Sequence, residues 1–255
     1  MTARGVAAYR QSFDRVPAPF GDPDADQRLQ ADVAAGLEPP PIGLTRYLQA
    51  RTAFIDHAVV HAIGAGCAQV VSVGAGYDGR SLRYAAPGVR WFELDHPDTQ
   101  ADKRARLARL DLDSSAIGFA AADFTTDGTG AALAGAGHDP AMPTLFTCEG
   151  VVGYLDRATF ERLLRSLRAR AAPGSRMAVE VPLEPDRPDD HERRAQLRET
   201  VGSLGEPLAA ALADHEVLDV LGRDGWMVEA AADPRGVALG DGARNTLFVL
   251  ATPAG

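Results

Sequence analysis

The residues best spaced for chemistry are a glycine turn, Gly74-Ala75-Gly76-Tyr77-Asp78-Gly79, and the acids that follow it at Asp95, Asp123 and Glu149. Glycines at 74 and 76 let the backbone turn sharply and approach a ligand closely, where a Cβ would obstruct it. An acid about twenty residues after such a turn is placed to hydrogen-bond the two hydroxyls of a ribose. Taken literally, Gly74-x-Gly76-x-x-Gly79 is the dinucleotide fingerprint, which points to a nicotinamide coenzyme. Asp78 argues the other way, because a carboxylate inside the turn would repel a pyrophosphate held at a helix N-terminus. A ligand bringing an ammonium or sulfonium would be attracted instead. S-adenosylmethionine is such a ligand, with a ribose, a sulfonium and a zwitterionic amino-acid tail. Asp78 can equally cap the helix that follows, and the two roles are compatible.

These residues need strands to carry them. Val70 to Val73 reads as a first strand ending at the glycine turn, a helix starts near Arg80, and Val89 to Leu94 reads as a second strand ending in Asp95. A helix with Pro97 in its first turn follows, then a strand from Ala116 to Ala121 closed by Asp123 and Phe124. The glycine-rich run after it predicts a short helix and loop. Thr144 to Cys148 is a fourth strand delivering Glu149, Asp156 caps a helix ended by Gly174, and Arg176 to Val181 is a fifth strand. This alternation predicts a parallel sheet with helices on both faces. The pattern breaks from Pro182 to about Leu204, a charged, turn-rich segment placed to form a lid or substrate wall. Pro207 to Leu221 then reads as a helix, and Gly225 to Ala231 and Asn245 to Ala251 as two strands. With no helix between them, these two must pair antiparallel. Upstream, a short helix around Gly5 to Phe13 precedes a proline-rich stretch expected to wrap over the domain as loops and short helices, and a helix from Thr45 is ended by Gly64 and Gly66.

The chain of 255 residues is long enough for one α/β domain with a full core. Its net charge of -9 disfavours nucleic acid as a partner, which would require clustered lysine and arginine. The basic run Lys103, Arg104, Arg106, Arg109 reads as a solvated helix face. The two cysteines, Cys67 and Cys148, have no metal-ligand spacing, so no metal is expected and a reduced, cytoplasmic compartment is the natural reading. No run has signal-peptide character or membrane-spanning length.

Several of these segments together, VVSVGAGYDGRSLRY, WFELDHPDTQADKRARL, AADF and LFTCEGVVGYL, resemble the leucine carboxyl methyltransferase family, including bacterial O-methyltransferases of natural-product pathways. The likeness runs from about Asp22 to Val181 and includes ARTAFID before the glycine turn. It implies a class I methyltransferase fold, Rossmann-like, with a seven-stranded sheet whose last strand is antiparallel and an N-terminal helical cap. The expected organisation is a single domain: cap 1–66, cofactor-binding core 67–181, lid 182–210, closing helix and strands 211–255.

The resemblance also implies roles. Arg51 matches the arginine that pairs with the methionyl carboxylate of S-adenosylmethionine, a task suited to its planar fork. Gly74 and Gly76 match the turn against the cofactor, with Asp78 inside it; Asp95 matches the ribose acid, and Asp123 with Phe124 the pair at the adenine. Glu149 matches the acid facing the cofactor's charged end, and Tyr154 lies where the family places a residue near the acceptor. Arg10, Arg15 and Arg46 are all candidates for a second carboxylate-binding cation. Tyr77 and Gly79 depart from the aliphatic residue and threonine usual in relatives. A carboxylic acid acceptor, ionised at neutral pH, needs no general base, whereas a phenol would be helped by one such as His191 or His215. A nicotinamide-dependent oxidoreductase and a non-catalytic binding protein on the same fold are the rival expectations.

Overall fold

Seven apolar runs pair into one sheet in the order β3-β2-β1-β4-β5-β7-β6. The structure, a computed structural model, describes residues 3–37, 45–126, 128–184, 195, 211–232 and 246–255. The strands are β1 (Gln69–Val73), β2 (Arg90–Asp95), β3 (Ile117–Ala121), β4 (Thr144–Cys148), β5 (Arg176–Pro182), β6 (Trp226–Ala232) and β7 (Thr246–Pro253). The helices are α1 (Ala3–Arg10), α2 (Pro23–Ala34), α3 (Thr45–Gly64), α4 (Arg80–Arg83), α5 (Pro97–Arg109), α6 (Thr129–Gly135), α7 (Arg157–Arg168) and α8 (Asp214–Arg223). β1 to β5 pair parallel, and β7 runs antiparallel to both β5 and β6. This is the expected seven-stranded sheet with a reversed last strand. Among the described residues, no helix is long and apolar enough to cross a membrane.

Alternation along the strands gives the sheet two apolar faces. Val71, Phe92, Phe146 and Val179 belong to one core, closed by Leu163 and Leu167 of α7 and Val217 and Leu221 of α8. Val70, Trp91, Leu145 and Ala178 belong to the other, closed by Ile55 and Val59 of α3, Leu29 and Val33 of α2 and Leu107 of α5. Burial on both sides explains why β1 and β4 are unbroken apolar runs rather than alternating ones.

The order of strands fixes where a ligand can go. The chain winds outward from β1 through β2 to β3, then returns to place β4 on the other side of β1. The connections that follow β1 and β4 therefore leave on opposite faces of the sheet, and the switch point between them is the usual ligand position in open α/β sheets. Val73 is in register with Cys148, so Gly74 and Glu149 leave neighbouring strands side by side.

Several expectations need correction. α2 is a full helix in the proline-rich stretch: Pro23 takes its first position, and Asp22 accepts a hydrogen bond from the Ala25 N–H at 3.0 Å. The helix expected from Pro207 begins at Asp214, because Leu212 is held in a bridge to Leu183 and the Glu216 carboxylate caps the Ala213 N–H at 3.1 Å. α7 ends at Arg168, and Gly174 sits instead, with φ +85°, in the turn before β5. Lys103 does not lie on a solvated face. It is buried and pairs with Glu93 at 2.6 Å, while Arg106 and Arg109 lie nearer the surface on Asp32. The expected lid and the connection between the last two strands lie almost wholly outside the described residues.

Two substitutions separate core from surface. Leu163→Ala removes a buried side chain facing the sheet and is expected to cost about 2–5 kcal/mol, whereas Leu218→Ala, at a half-exposed position of α8, is expected to stay within about 0.5 kcal/mol. Asp156→Ala, which deletes the cap on the Thr159 N–H of α7, should fall between them at about 1 kcal/mol. Urea unfolding midpoints of the three variants check this ranking.

Candidate functional site

The crevice at the carboxyl end of β1 is built first by backbone. Gly74 and Gly76 adopt left-handed conformations, φ +63° and +49°, which allow the chain to leave β1 and turn at once. The Gly74 and Ala75 N–H groups both donate to the Leu94 carbonyl, at 2.8 and 3.2 Å, tying the turn to the end of β2. Close approach at these glycines is made by protein: a Cβ on Gly74 would lie 2.1 Å from Val151 Cγ2, and one on Gly76 would lie 3.2 Å from Ala3 of α1. A Cβ on Gly79 would lie 1.9 Å from the Asp26 carboxylate of α2, which explains why no threonine stands there. Tyr77 turns toward α5, where its hydroxyl donates to Asp102 at 2.6 Å. Lys103 steadies the same turn from below by donating to the Asp78 carbonyl at 2.6 Å.

Four of the anticipated residues, Arg10, Arg51, Asp78 and Glu149, meet in one buried ion-pair network. Glu149 accepts from Arg51 Nε at 2.9 Å, Arg10 Nη2 at 3.1 Å and Arg80 Nη1 at 2.5 Å. Arg80 Nη1 also reaches Asp78 at 2.5 Å, and Arg10 lies 3.6 Å from the same carboxylate. Asp78 further accepts from the Arg80 N–H at 2.9 Å, so it serves the start of α4 and the network together. Burial resists ionisation of Asp78, but Arg10 and Arg80 outweigh it and bring the carboxyl down to about 2. The same contest at Glu149, burial against Arg80, Arg10 and Arg51, leaves that group well below the ordinary glutamate range.

Asp95 stands at the end of β2, half-buried, and is bonded to the glycine turn. Its Oδ2 accepts from the Gly76 N–H and its Oδ1 from the His96 N–H at 2.6 Å. Burial raises its pKa although both N–H groups pull the other way. Glu93, two residues earlier, is buried on Lys103 and Ser81. Asp123 and Phe124 follow β3, with Asp123 accepting from the Thr125 N–H and hydroxyl at 2.8 and 2.7 Å. Phe124 packs against the core and lines a surface cavity of about 420 Å³. Tyr154 is half-buried in the short 3-10 turn that follows Glu149.

Of the three arginines considered as a second cation, the structure brings Arg10 into the network. Arg15 is engaged with Asp56 at 2.7 and 2.8 Å, and Arg46 is exposed on α3. Sequence reasoning missed Arg80 and Glu180. Arg80 is 1% exposed and bridges Asp56, Asp78 and Glu149. Glu180, 3.6 Å from Arg51, was signalled by being the one acid inside the apolar strand Met177-Ala178-Val179-Glu180-Val181. His215 is exposed on α8, and His191 lies outside the described residues.

Comparison with known proteins now bears on this arrangement. Two provisionally named S-adenosyl-L-methionine-dependent methyltransferases are similar to the chain. One, from Mycolicibacterium gilvum, is 32% identical over 222 residues, 78% of this chain and 72% of the relative. The other, from Mycobacteroides abscessus, is 32% identical over 250 residues, 90% of this chain and 80% of the relative. Among solved structures, a provisionally named methyltransferase of Thermobifida fusca superposes with a TM-score of 0.66 at 18% identity, covering 100% of this chain and 95% of that one. Human N-acetylserotonin methyltransferase, solved with S-adenosylmethionine, gives 0.51 at 15% identity, covering 91% of this chain and 57% of that one. The leucine carboxyl methyltransferase family model matches residues 13–168. With the sheet order, the turn and the acids at the strand ends in place, the chain belongs to the leucine carboxyl methyltransferase family.

Proposed function

We propose that this chain is an S-adenosylmethionine-dependent O-methyltransferase whose acceptor is a carboxylate on a small molecule. The observation that carries the reading is the charge pattern at the glycine turn. A zwitterionic amino-acid tail finds guanidiniums in Arg51 and Arg10 and ionised carboxylates in Glu149 and Asp78 within one buried network. Arg10 Nε, buried and without a hydrogen-bond partner among the described residues, is a donor such a tail can use. Asp95 is assigned to the ribose diol, and Asp123 with Phe124 to the adenine. A pyrophosphate at the same turn would stand beside two buried carboxylates, which counts against a nicotinamide coenzyme.

The cofactor, when bound, supplies an electrophilic methyl group on a positively charged sulfur. The work left to the chain is positioning and exclusion of water. The two carboxylates in the ion-pair network at the turn are poor bases: Asp78 is brought down to about 2, and Glu149 is held low by the arginines around it. An acceptor that arrives ionised needs no base, and this favours a carboxylate over a phenol. Tyr154, five residues beyond Glu149, is assigned to hold the acceptor.

Thermal shift separates the cofactor classes: S-adenosylhomocysteine should raise the melting temperature, by about 2.7 kcal/mol of added stability at a hundred times its dissociation constant, and NAD should not. Stabilisation by NAD alone overturns the reading. Arg51→Ala is expected to weaken S-adenosylhomocysteine binding about tenfold or more. Because burial raises Asp95, affinity should weaken on acidification before Asp78 and Glu149 take up protons, and Asp95→Asn should abolish this early phase. Isothermal titration across pH reads both effects. Methyl-labelled cofactor offered with panels of small carboxylic acids and phenols, read by mass spectrometry, should yield methyl esters. Transfer to phenols alone, or an unaltered rate and acceptor affinity in Tyr154→Phe, removes the corresponding assignment.

A further inference from the structure

We propose that Glu180, anchored by Tyr47, is the positioning residue that keeps Arg51 in place when Arg51 gives up Glu149 for a ligand carboxylate; this rests on the cofactor site proposed above. Glu180 is 4% exposed within an otherwise apolar strand, a costly location for a carboxylate unless neighbours hold it. Each of its oxygens is engaged. Oε1 accepts from the Tyr47 hydroxyl at 2.5 Å, and Oε2 accepts from the Gly150 N–H at 2.8 Å while lying 3.6 Å from Arg51 Nη1.

Tyr47 and Arg51 are one turn apart on α3 and so share a face. The Tyr47 ring lies under the guanidinium, with Arg51 Cζ 5.6 Å from its centroid. One side chain thus supports Arg51 with its ring and Glu180 with its hydroxyl. Burial and the nearby Glu180 charge hold the Tyr47 phenol well above its ordinary pKa, so it remains a donor. Glu180 also fixes the other side of the crevice, because Gly150 directly follows Glu149. Gly150 has φ +68°, and a Cβ there would lie 3.2 Å from Arg51 Nη1.

The two glutamates around Arg51 are not equivalent. Glu149 is held by Arg10 and Arg80 as well, so it stays paired if Arg51 turns to another carboxylate. Glu180 has no such second guanidinium among the described ion pairs, and its charge serves Arg51. Glu180 therefore keeps Arg51 compensated and oriented through the exchange, with Tyr47 and the Gly150 N–H fixing the carboxylate.

The test is a thermodynamic cycle on S-adenosylhomocysteine binding by isothermal titration, with unfolding midpoints as the control. Glu180→Gln keeps the shape and removes the charge; Tyr47→Phe keeps the ring and removes the anchoring hydroxyl. Glu180→Gln should weaken binding about tenfold and Tyr47→Phe about threefold, in variants whose unfolding midpoints fall with the loss of a buried partner but which stay folded under the binding conditions. In an Arg51→Ala background, neither change should weaken binding further, a non-additivity that a merely structural role would not produce. Losses of equal size in both backgrounds, or unchanged affinity in both single variants while Arg51→Ala is impaired, overturn the assignment to Glu180 and leave the cofactor site standing. A wild-type protein that does not bind S-adenosylhomocysteine overturns both.

Discussion

The constraint on which the crevice depends is that buried charges must be paired. Among the described residues, ten side chains from six regions form one chain of contacts: Arg10, Arg15, Arg51, Arg80 and Arg83 against Asp26, Asp56, Asp78, Glu149 and Glu180. Five positive charges meet five negative ones, all with side chains about one-tenth exposed or less. Taking such groups out of water is recovered only by close partners, and removing one partner strands another charge in the interior. This explains why α1, α2 and α3 converge on the carboxyl edge of the sheet. Each brings a member of the network, and none could be omitted without leaving a neighbour uncompensated.

Neutrality also limits what can enter. A zwitterionic tail adds one charge of each sign, so it can exchange partners within the network without leaving an excess. Arg51 is suited to that exchange because its fork can release one carboxylate while still held beside a second. A lysine presents a single strongly hydrated point charge and could not be shared in this way. On the proposed reading the network is both scaffold and binding surface, with Asp78 bonded to the start of α4 and paired with Arg10 and Arg80.

What could be read from the residues follows from the range of the forces involved. β1, β4 and β5 are short apolar runs bounded by turn residues, and their limits are legible because hydrophobic burial on both faces admits little else. The acids at the strand ends were legible for the same reason: strand length places the residue that follows. Lys103 was not. It occupies a strongly charged helix and differs from its neighbours only in facing Glu93, a partner in another element that spacing within α5 cannot reveal. Arg80 and Glu180 were missed likewise, since their roles come from contacts far along the chain, Arg80 with Glu149 across 69 positions and Glu180 with Tyr47 across 133, although an acid inside an apolar strand was a local sign. α2 was obscured by prolines that, at a helix start, favour the helix they would break elsewhere.

A balanced buried network also bears on the chemistry. Methylation of a carboxylate by a sulfonium removes one charge of each sign, and a poorly hydrated site favours a reaction that neutralises charge over one that creates it. A site reacting in this way must hold both charges beforehand without itself carrying a net charge that would bind one and expel the other. On the proposed reading the arginines around Glu149 and Asp78 meet that requirement by keeping both carboxylates ionised and paired, so that neither takes a proton from an acceptor. The same pairing that makes these acids poor bases makes them quiet neighbours for a reactive cation.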